Sequence, residues 1–158
     1  MRIITRAESG IPVRVTTSKG QPRPALRPGL RTLTLHYTGA KGRLRDRDPR
    51  RAFLDLHAFA VNAKKPYEYN YVITQDGSIW EFAGLFRAAH CAFANDTAIG
   101  VQFHNGVGEP LLDAQLDAYR FLRGHLVAIG ALAPDHAVKK HREMPQAATD
   151  CPGSTTSS

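Results

Sequence analysis

Two residue types that bind metal ions occur close together near the end of the chain. The segment HREMPQAATDCPG, residues 141–153, places the imidazole of His141 and the thiol of Cys151 ten residues apart. Zinc binds imidazole nitrogen and thiolate sulfur readily, and a catalytic zinc has three protein ligands and one open position. A third ligand must therefore come from elsewhere in the chain, and His36 is the best-placed candidate.

His36 lies at the end of the apolar run Leu33-Thr34-Leu35, which predicts a buried strand over residues 30–37 with His36 near its carboxyl end. Closely paired ligands such as C-x2-4-C, typical of structural zinc, do not occur in the sequence. If a metal binds, the pattern therefore favours a catalytic site with one open coordination position. Taken alone, a histidine is more often a hydrogen-bonded core or surface residue, and a cysteine a small buried hydrophobe.

The composition predicts a globular domain with an anionic partner. The 158 residues suit one domain, and 42% hydrophobic with 22% charged residues excludes wholesale disorder. The net charge of +7 suits nucleic acid, anionic lipid or a bacterial wall with acidic polymers, although a solvated basic face explains it equally well. Without a nucleic-acid-binding motif, we expect no nucleic-acid partner. Two cysteines are too few for a disulfide scaffold, and Cys91 is expected to be a structural thiol.

The ends of the sequence suggest where the domain lies. Residues 1–8 lack the apolar core of a signal peptide, and no stretch is long and apolar enough to span a membrane. We therefore expect either synthesis in the cytoplasm or a piece cut from a longer protein, and no membrane partner. Residues 1–153 are predicted to form the domain, with 1–29 as an irregular lead-in and 154–158 as the start of a Ser/Thr linker.

Interleaved strand and helix patterns predict the fold class. Helices are predicted from Pro49 to residue 62 and over residues 114–129, the second capped by Asp113 and buried along a stripe that ends at Ile129. Strands are predicted over residues 69–74, 78–82 and 98–104, with a hairpin turn at Asp76-Gly77, and a short strand over 13–17. Residues 137–140 are expected to be a short basic connection. The chain is therefore predicted to be α/β, with a central mixed β-sheet flanked by helices.

With these residues in this order, the chain resembles the zinc N-acetylmuramoyl-L-alanine amidases, the amidase type 2 and peptidoglycan recognition protein family, which includes bacteriophage endolysins. Four blocks carry the resemblance and span residues 30–153: Leu35-His36-Tyr37-Thr38; Tyr69-Asn70-Tyr71-Val72-Ile73 followed by Asp76-Gly77; Ala89-His90 with Asn95, leading to Ala98-Ile99-Gly100-Val101; and His141 followed by Thr149-Asp150-Cys151-Pro152-Gly153. Four blocks in order are far more specific than one short motif.

The resemblance implies a peptidoglycan-recognition-protein-like amidase fold and one Zn²⁺ ion held by His36, His141 and Cys151. Zinc lowers the pKa of a bound water to about 7 and polarises a carbonyl. The implied catalytic residues are Tyr69, beside that water, and Thr149, near the developing oxyanion. The bond cut would join N-acetylmuramic acid to L-alanine.

The resemblance also implies that His90 and Asn95 bind substrate, although a loop histidine and a turn asparagine explain them equally well. Some members have a glutamate near the metal in the block after Ile-Gly, which here reads Ile99-Gly100-Val101-Gln102 and has no carboxylate, so the tyrosine version of the mechanism fits better. Others have a lysine where this chain has Thr149, whose neutral hydroxyl stabilises less charge and implies a slower enzyme, although threonine is also common there in the recognition-protein branch. We expect a monomeric peptidoglycan hydrolase acting on the bacterial cell wall, plausible as an endolysin catalytic domain fused to further modules. The alternative is a non-catalytic peptidoglycan-binding module, against which the presence of Cys151 argues.

Overall fold

Strand β2, residues Leu30–Tyr37, lies inside a six-stranded sheet and has parallel neighbours on both sides. The computed structural model describes residues 1–38, 44, 47–91 and 94–144. The other strands are β1 (Ile3–Ile4), β3 (Tyr71–Ile73), β4 (Ile79–Glu81), β5 (Ala98–Phe103) and β6 (Leu132–Lys140), and the helices are α1 (Arg6–Ser9), α2 (Pro49–Asn62) and α3 (Asp113–Ala128).

The sheet order is β1-β4-β3-β5-β2-β6, and within the described ranges only β3 and β4 pair antiparallel. These two strands form the predicted hairpin, whose Gly77 has a φ of +86°, a conformation that glycine adopts without steric cost. The predicted α/β class with a central mixed sheet is confirmed.

The two faces of the sheet are covered by different helices. Leu33, Leu35 and Val101 point to the face on which Leu122 and Leu126 of α3 pack. Alternate residues point the other way, because successive side chains of a strand face opposite sides. Val72 lies on that second face, where it packs with Phe53 and Leu56 of α2 and with other apolar side chains. His36 also lies there, since it pairs in register with Gln102, which pairs with Val72.

Helix α3 differs in detail from its prediction. Its N-cap is Leu112 rather than Asp113, and Gln115 accepts a hydrogen bond at Oε1 from the Leu112 backbone N–H at 3.1 Å. Gln115 and Ala118 are buried, whereas Ile129, predicted to end the buried stripe, is 51% exposed. The prediction for Ile129 was wrong because α3 ends at Ala128 and Ile129 is its C-cap, so the buried face of the helix stops at Leu126. At the other end, the buried Gln115 donates from Nε2 to Asn105 Oδ1 at 2.7 Å.

Strand β6 and the lead-in also correct the predictions. Residues 137–140 belong to a nine-residue strand rather than a short connection. Pro134 and Asp135 concealed it, since both are depleted in strands, but β6 is an edge strand and tolerates them. Residues 13–17 do not form the predicted strand; Thr16 makes only an isolated bridge to Pro22. The predicted linker, 154–158, lies outside the described residues.

None of the helices in the described ranges combines the length and apolar character that crossing a bilayer requires.

Candidate active site

His36 and His141 come together at the carboxyl ends of two adjacent strands. His36 is the seventh residue of β2 and is 1% exposed. β6 runs parallel to β2 with Lys140 opposite Leu35, so that His141, which follows directly, lies level with His36. Their ring centroids are 4.6 Å apart. The predicted convergence of these two histidines is therefore present in the structure.

Two hydrogen bonds hold the segment that follows β6. His141 begins a 3₁₀ turn, His141–Glu143, whose Glu143 Oε2 accepts a hydrogen bond from the Lys140 backbone N–H at 2.7 Å. Met144 is 7% exposed, and its sulfur accepts a hydrogen bond from Thr34 Oγ1 at 3.5 Å. His141 is thus fixed on both sides in sequence.

His90 lies directly behind His36 and orients its ring. His90 Nε2 is 3.1 Å from the carbonyl oxygen of Ala98, and His90 Nδ1 is 3.0 Å from His36 Nε2. A carbonyl oxygen only accepts, so His90 Nε2 carries the hydrogen and His90 Nδ1 accepts from His36 Nε2–H. In a neutral His36 the lone pair is then on Nδ1, so Nδ1 is the nitrogen whose chemistry suits a metal ion.

The buried setting keeps these rings neutral. Burial lowers the pKa of His36 well below its usual value, and the neighbouring His90 and His141 lower it further. Burial lowers the pKa of His90 to about 4, and that of His141 is lowered for the same reason. A metal ligand must be deprotonated, so all three imidazoles are in the form that coordination chemistry requires.

Close packing at Gly100 allows His90 to occupy this position. A Cβ atom on Gly100 would lie 2.5 Å from His90 Cγ, closer than real contacts allow. Gly100 is the β5 residue that pairs with Thr34, two residues before His36. The block Ile99-Gly100-Val101 therefore contains a glycine because an imidazole packs against its backbone.

Tyr69 also lies beside His36, with ring centroids 5.1 Å apart. The next residue, Asn70, is fully buried and anchors this segment. Its Nδ2 donates to the carbonyls of Gly84 and Phe86, both at 2.9 Å, and its Oδ1 accepts from Gly100 N–H at 2.8 Å. No role was predicted for Asn70 from the sequence, although a polar residue between Tyr69 and Tyr71 of a predicted strand indicates a buried hydrogen-bonding position.

The remaining predicted site residues have different placements. Asn95 accepts a hydrogen bond at Oδ1 from the Cys91 backbone N–H at 2.7 Å and so shapes the turn before β5. His90 is 5% exposed, behind His36. That either residue binds substrate stays a prediction. Thr149 and Cys151 lie outside the described residues.

A cavity opens beside Tyr69, between α2 and the ends of β2 and β5. We call it the α2 cavity; its volume is about 490 Å³. Its lining combines apolar side chains of α2 with charged and polar groups: Thr38, Leu44, Arg47, Ala52, Asp55, Leu56, Phe59, Glu68, Tyr69, Gln102 and His104. A substrate in this cavity would reach Tyr69 and Gln102, the β5 residue that pairs in register with His36.

The donor set fits zinc as far as it is described. In the described ranges, no three His, Cys, Asp or Glu side chains are placed to hold a metal ion. Two neutral imidazoles with adjacent rings are nevertheless typical zinc ligands, and a thiolate would complete a three-ligand site. The third predicted ligand, Cys151, follows in sequence the segment that positions His141.

The family model for N-acetylmuramoyl-L-alanine amidase, Amidase_2, matches residues 26–154. The chain belongs to this family. Its matched region includes His36, Tyr69, His90, His141 and Cys151, which confirms the family that the four sequence blocks predicted. No curated protein sequence is similar enough to match the chain.

Solved structures of peptidoglycan recognition proteins share the fold of this Amidase_2 chain. Drosophila PGRP-SA is 21% identical, with 98% of this chain and 87% of that chain covered and a TM-score of 0.81. Drosophila PGRP-LB is 20% identical, with 98% and 89% covered and a TM-score of 0.82. A single-residue mutant of PGRP-LB in complex with tracheal cytotoxin is 20% identical, with 98% and 89% covered and a TM-score of 0.81. The predicted peptidoglycan-recognition-protein-like fold is confirmed.

Proposed function

We propose that this chain is a zinc-dependent amidase that hydrolyses the bond between N-acetylmuramic acid and L-alanine in bacterial peptidoglycan. The observation that carries the proposal is the 4.6 Å approach of the His36 and His141 rings, beside Tyr69, in a chain of the amidase family. His36, His141 and Cys151 would hold one Zn²⁺ ion. When bound, zinc supplies Lewis acidity toward water and the amide carbonyl.

The side chains around this centre have separate tasks in the proposal. His90 holds the His36 ring through the hydrogen bond at 3.0 Å, so that Nδ1 keeps its lone pair. The Tyr69 hydroxyl orients the attacking water and passes a proton to the leaving amine of L-alanine. The Thr149 hydroxyl donates a hydrogen bond to the oxygen of the tetrahedral intermediate.

Metal content and product chemistry test the proposal together. We expect purified protein to contain close to one zinc per chain by elemental analysis and to release free L-alanine amino groups from purified peptidoglycan. Chelation should abolish that release, and added zinc should restore it. Protein prepared with full zinc that releases only reducing sugar ends or internal peptide amines would contradict the amidase assignment.

A non-catalytic recognition module is the second candidate, because the structural neighbours are recognition proteins and one is in complex with tracheal cytotoxin. Retained binding to peptidoglycan with no amine release from the zinc-loaded chain would favour it. We favour the enzyme, since the sequence contains Cys151 and the structure brings Tyr69 next to His36.

We further propose that the chain is the lytic domain of a bacteriophage endolysin that acts on the cell wall. Its net charge of +7 suits a wall with acidic polymers. Added protein should clear a suspension of wall-exposed bacteria, and clearing should weaken as salt screens the charge.

His90→Phe should weaken zinc binding by about 10- to 100-fold, the usual effect of removing a hydrogen-bond partner of a metal ligand. Phenylalanine keeps a ring at this site but cannot accept from His36 Nε2–H. His90→Gln should retain part of the affinity, because its carbonyl oxygen can accept. Competition with a chromogenic chelator measures the affinity, and His57→Phe on α2 is the matched control. Equal affinity of His90→Phe and parent would show that His90 does not position His36.

A further inference from the structure

A second cavity lies between residues 16–20 of the lead-in, the C-terminal part of α2 and residues 64–67. We call it the lead-in pocket; its volume is about 650 Å³. Helix α2 lines it with His57 and Val61, which are four residues apart and therefore share one face of the helix. None of the residues that line the lead-in pocket also lines the α2 cavity. The lead-in pocket is therefore a separate candidate site.

The charged side chains that line the lead-in pocket are all positive. Lys19 and Lys64 line it, and none of the described lining residues is Asp or Glu. Neither lysine makes an ion pair within the described ranges. Burial lowers the pKa of His57 below its usual value, so this imidazole is neutral at pH 7. Two ammonium groups without a carboxylate favour an anionic ligand.

A buried guanidinium adds to this positive charge. Arg23 is 8% exposed, and it donates from Nε to the carbonyl of Thr16 and from Nη2 to that of Pro66, both at 3.1 Å. Both carbonyls belong to residues that line the pocket. Arginine stays protonated, and buried charges are usually paired. Among the described residues Arg23 has no carboxylate partner, and its charged neighbour is the like-charged Arg87. An anion in the pocket would offset this charge.

The backbone at Lys64 is an independent sign of a functional position. Helix α2 ends in a Schellman motif, in which the Lys64 N–H donates to Val61 O at 3.1 Å and the Lys65 N–H to Ala60 O at 2.9 Å. Lys64 thus occupies the position where glycine is usual, with a φ of +59°. Of the described non-glycine residues, only Lys64 and Tyr67 have a positive φ, and both line the pocket. Such backbone conformations concentrate at functional sites.

The rest of the lining suits a chain of polyols and phosphates. Pro12 and Val61 offer apolar contact, and Thr16 and Ser18 offer hydroxyl groups. A single-stranded nucleic acid usually stacks its bases on exposed aromatic rings, whereas the Tyr67 ring in this lining is 2% exposed. A polyol phosphate needs no stacking platform, because its phosphates pair with ammonium groups and its hydroxyls form hydrogen bonds.

We propose that the lead-in pocket binds the phosphate groups of an anionic polyol phosphate polymer of the bacterial wall. The Lys19 and Lys64 ammonium groups pair with phosphate oxygens, and Arg23 adds positive potential. This site retains the enzyme on the wall and takes no part in hydrolysis. The choice of a wall polymer rests on the proposed amidase function, whereas the preference for phosphate rests on the pocket alone.

Calorimetric titration of the purified protein with a synthetic glycerol phosphate oligomer tests the proposal. Lys19→Gln and Lys64→Gly should each weaken binding about 3- to 10-fold at low salt, as expected for one exposed charge-assisted contact. Added salt should weaken binding by the parent more than by either variant, because it screens the contacts that remain. Arg120→Gln is the matched control, since it removes one exposed positive charge from α3, across the sheet, and should bind as the parent does.

Unfolding in urea separates ligand binding from a structural role of Lys64. Glycine adopts a φ near +59° without steric cost, so Lys64→Gly should be as stable as the parent or more so. A lysine retained only for its favourable position at the C-terminal end of the helix dipole would instead leave the variant less stable. Parental affinity in both lysine variants would overturn the inference, as would affinity losses that merely follow losses of stability.

Two other phosphate-containing ligands test the class of partner. At equal phosphate concentration, a single-stranded oligonucleotide and vesicles of anionic phospholipid should bind more weakly than the glycerol phosphate oligomer. Tighter binding of either one, weakened by the same two substitutions, would overturn the wall-polymer assignment. Amine release from polymer-free peptidoglycan should stay parental in Lys19→Gln and Lys64→Gly. Zinc-dependent amine release by the parent would support the amidase whichever ligand the pocket binds.

Discussion

Cys151→Ser is expected to lower amine release from peptidoglycan by roughly a thousandfold or more. The thiolate is the predicted third zinc ligand, and Lewis-acid stabilisation by a bound metal contributes several kcal/mol to a hydrolytic transition state. Serine keeps a similar volume but remains protonated at neutral pH, so it is a poor substitute for a thiolate ligand. Amine release and zinc content of the purified variant should therefore fall together.

The second cysteine of the chain supplies the control. Cys91 is buried in a small cluster with Ala94, Ala98 and Met144, and burial raises the pKa of its thiol. Such a thiol is a poor metal ligand because the thiolate form is disfavoured. Cys91→Ala should retain zinc and turnover even if the free energy of unfolding falls slightly. Normal hydrolysis by Cys151→Ser at parental stability would refute the ligand assignment.

The sequence predicted best the elements whose patterning is local. Helix α2 has the predicted bounds, Pro49–Asn62, because Pro49 suits a first turn and the side chain of Asp48 caps the helix by accepting from Arg51 N–H at 2.9 Å. Strand β2 also has the predicted bounds. Strand β6 was missed because its stability depends on pairing with β2 rather than on its own residues.

The candidate site likewise has residues that the sequence predicted and contacts that only the fold shows. His36 was predictable because it lies near the end of a recognisable strand pattern. Both His36 and His141 also lie in the four blocks that resemble the family. The hydrogen bond from His36 to His90 was not, since it depends on the register of β5 and on the space left by Gly100. The α2 cavity was not predictable for a related reason, because only the fold shows that Gln102 and His104 line one cavity with Tyr69.

Tyr69→Phe should lower kcat by about 100- to 10,000-fold, the usual range for general acid–base catalysis, and change peptidoglycan binding little. The ring keeps its place, 5.1 Å from that of His36, and only the hydroxyl that handles the proton is lost. Steady-state turnover on soluble muropeptide and pull-down on insoluble wall measure the two effects separately.

Tyr67→Phe provides a control that has the opposite signature. The Tyr67 hydroxyl donates to the carbonyl oxygens of Pro12 and Arg14, each at 2.9 Å, and so fastens the lead-in to the domain. Its loss should lower the free energy of unfolding by about 1 kcal/mol while kcat stays near the parental value.

If Tyr69→Phe instead weakened binding and turnover equally, Tyr69 would only position the substrate, and the proton would need another carrier. Of the described side chains that line the α2 cavity, Glu68 is the ionisable neighbour of Tyr69 in sequence, and burial already raises the pKa of its carboxyl toward the range that such a role requires.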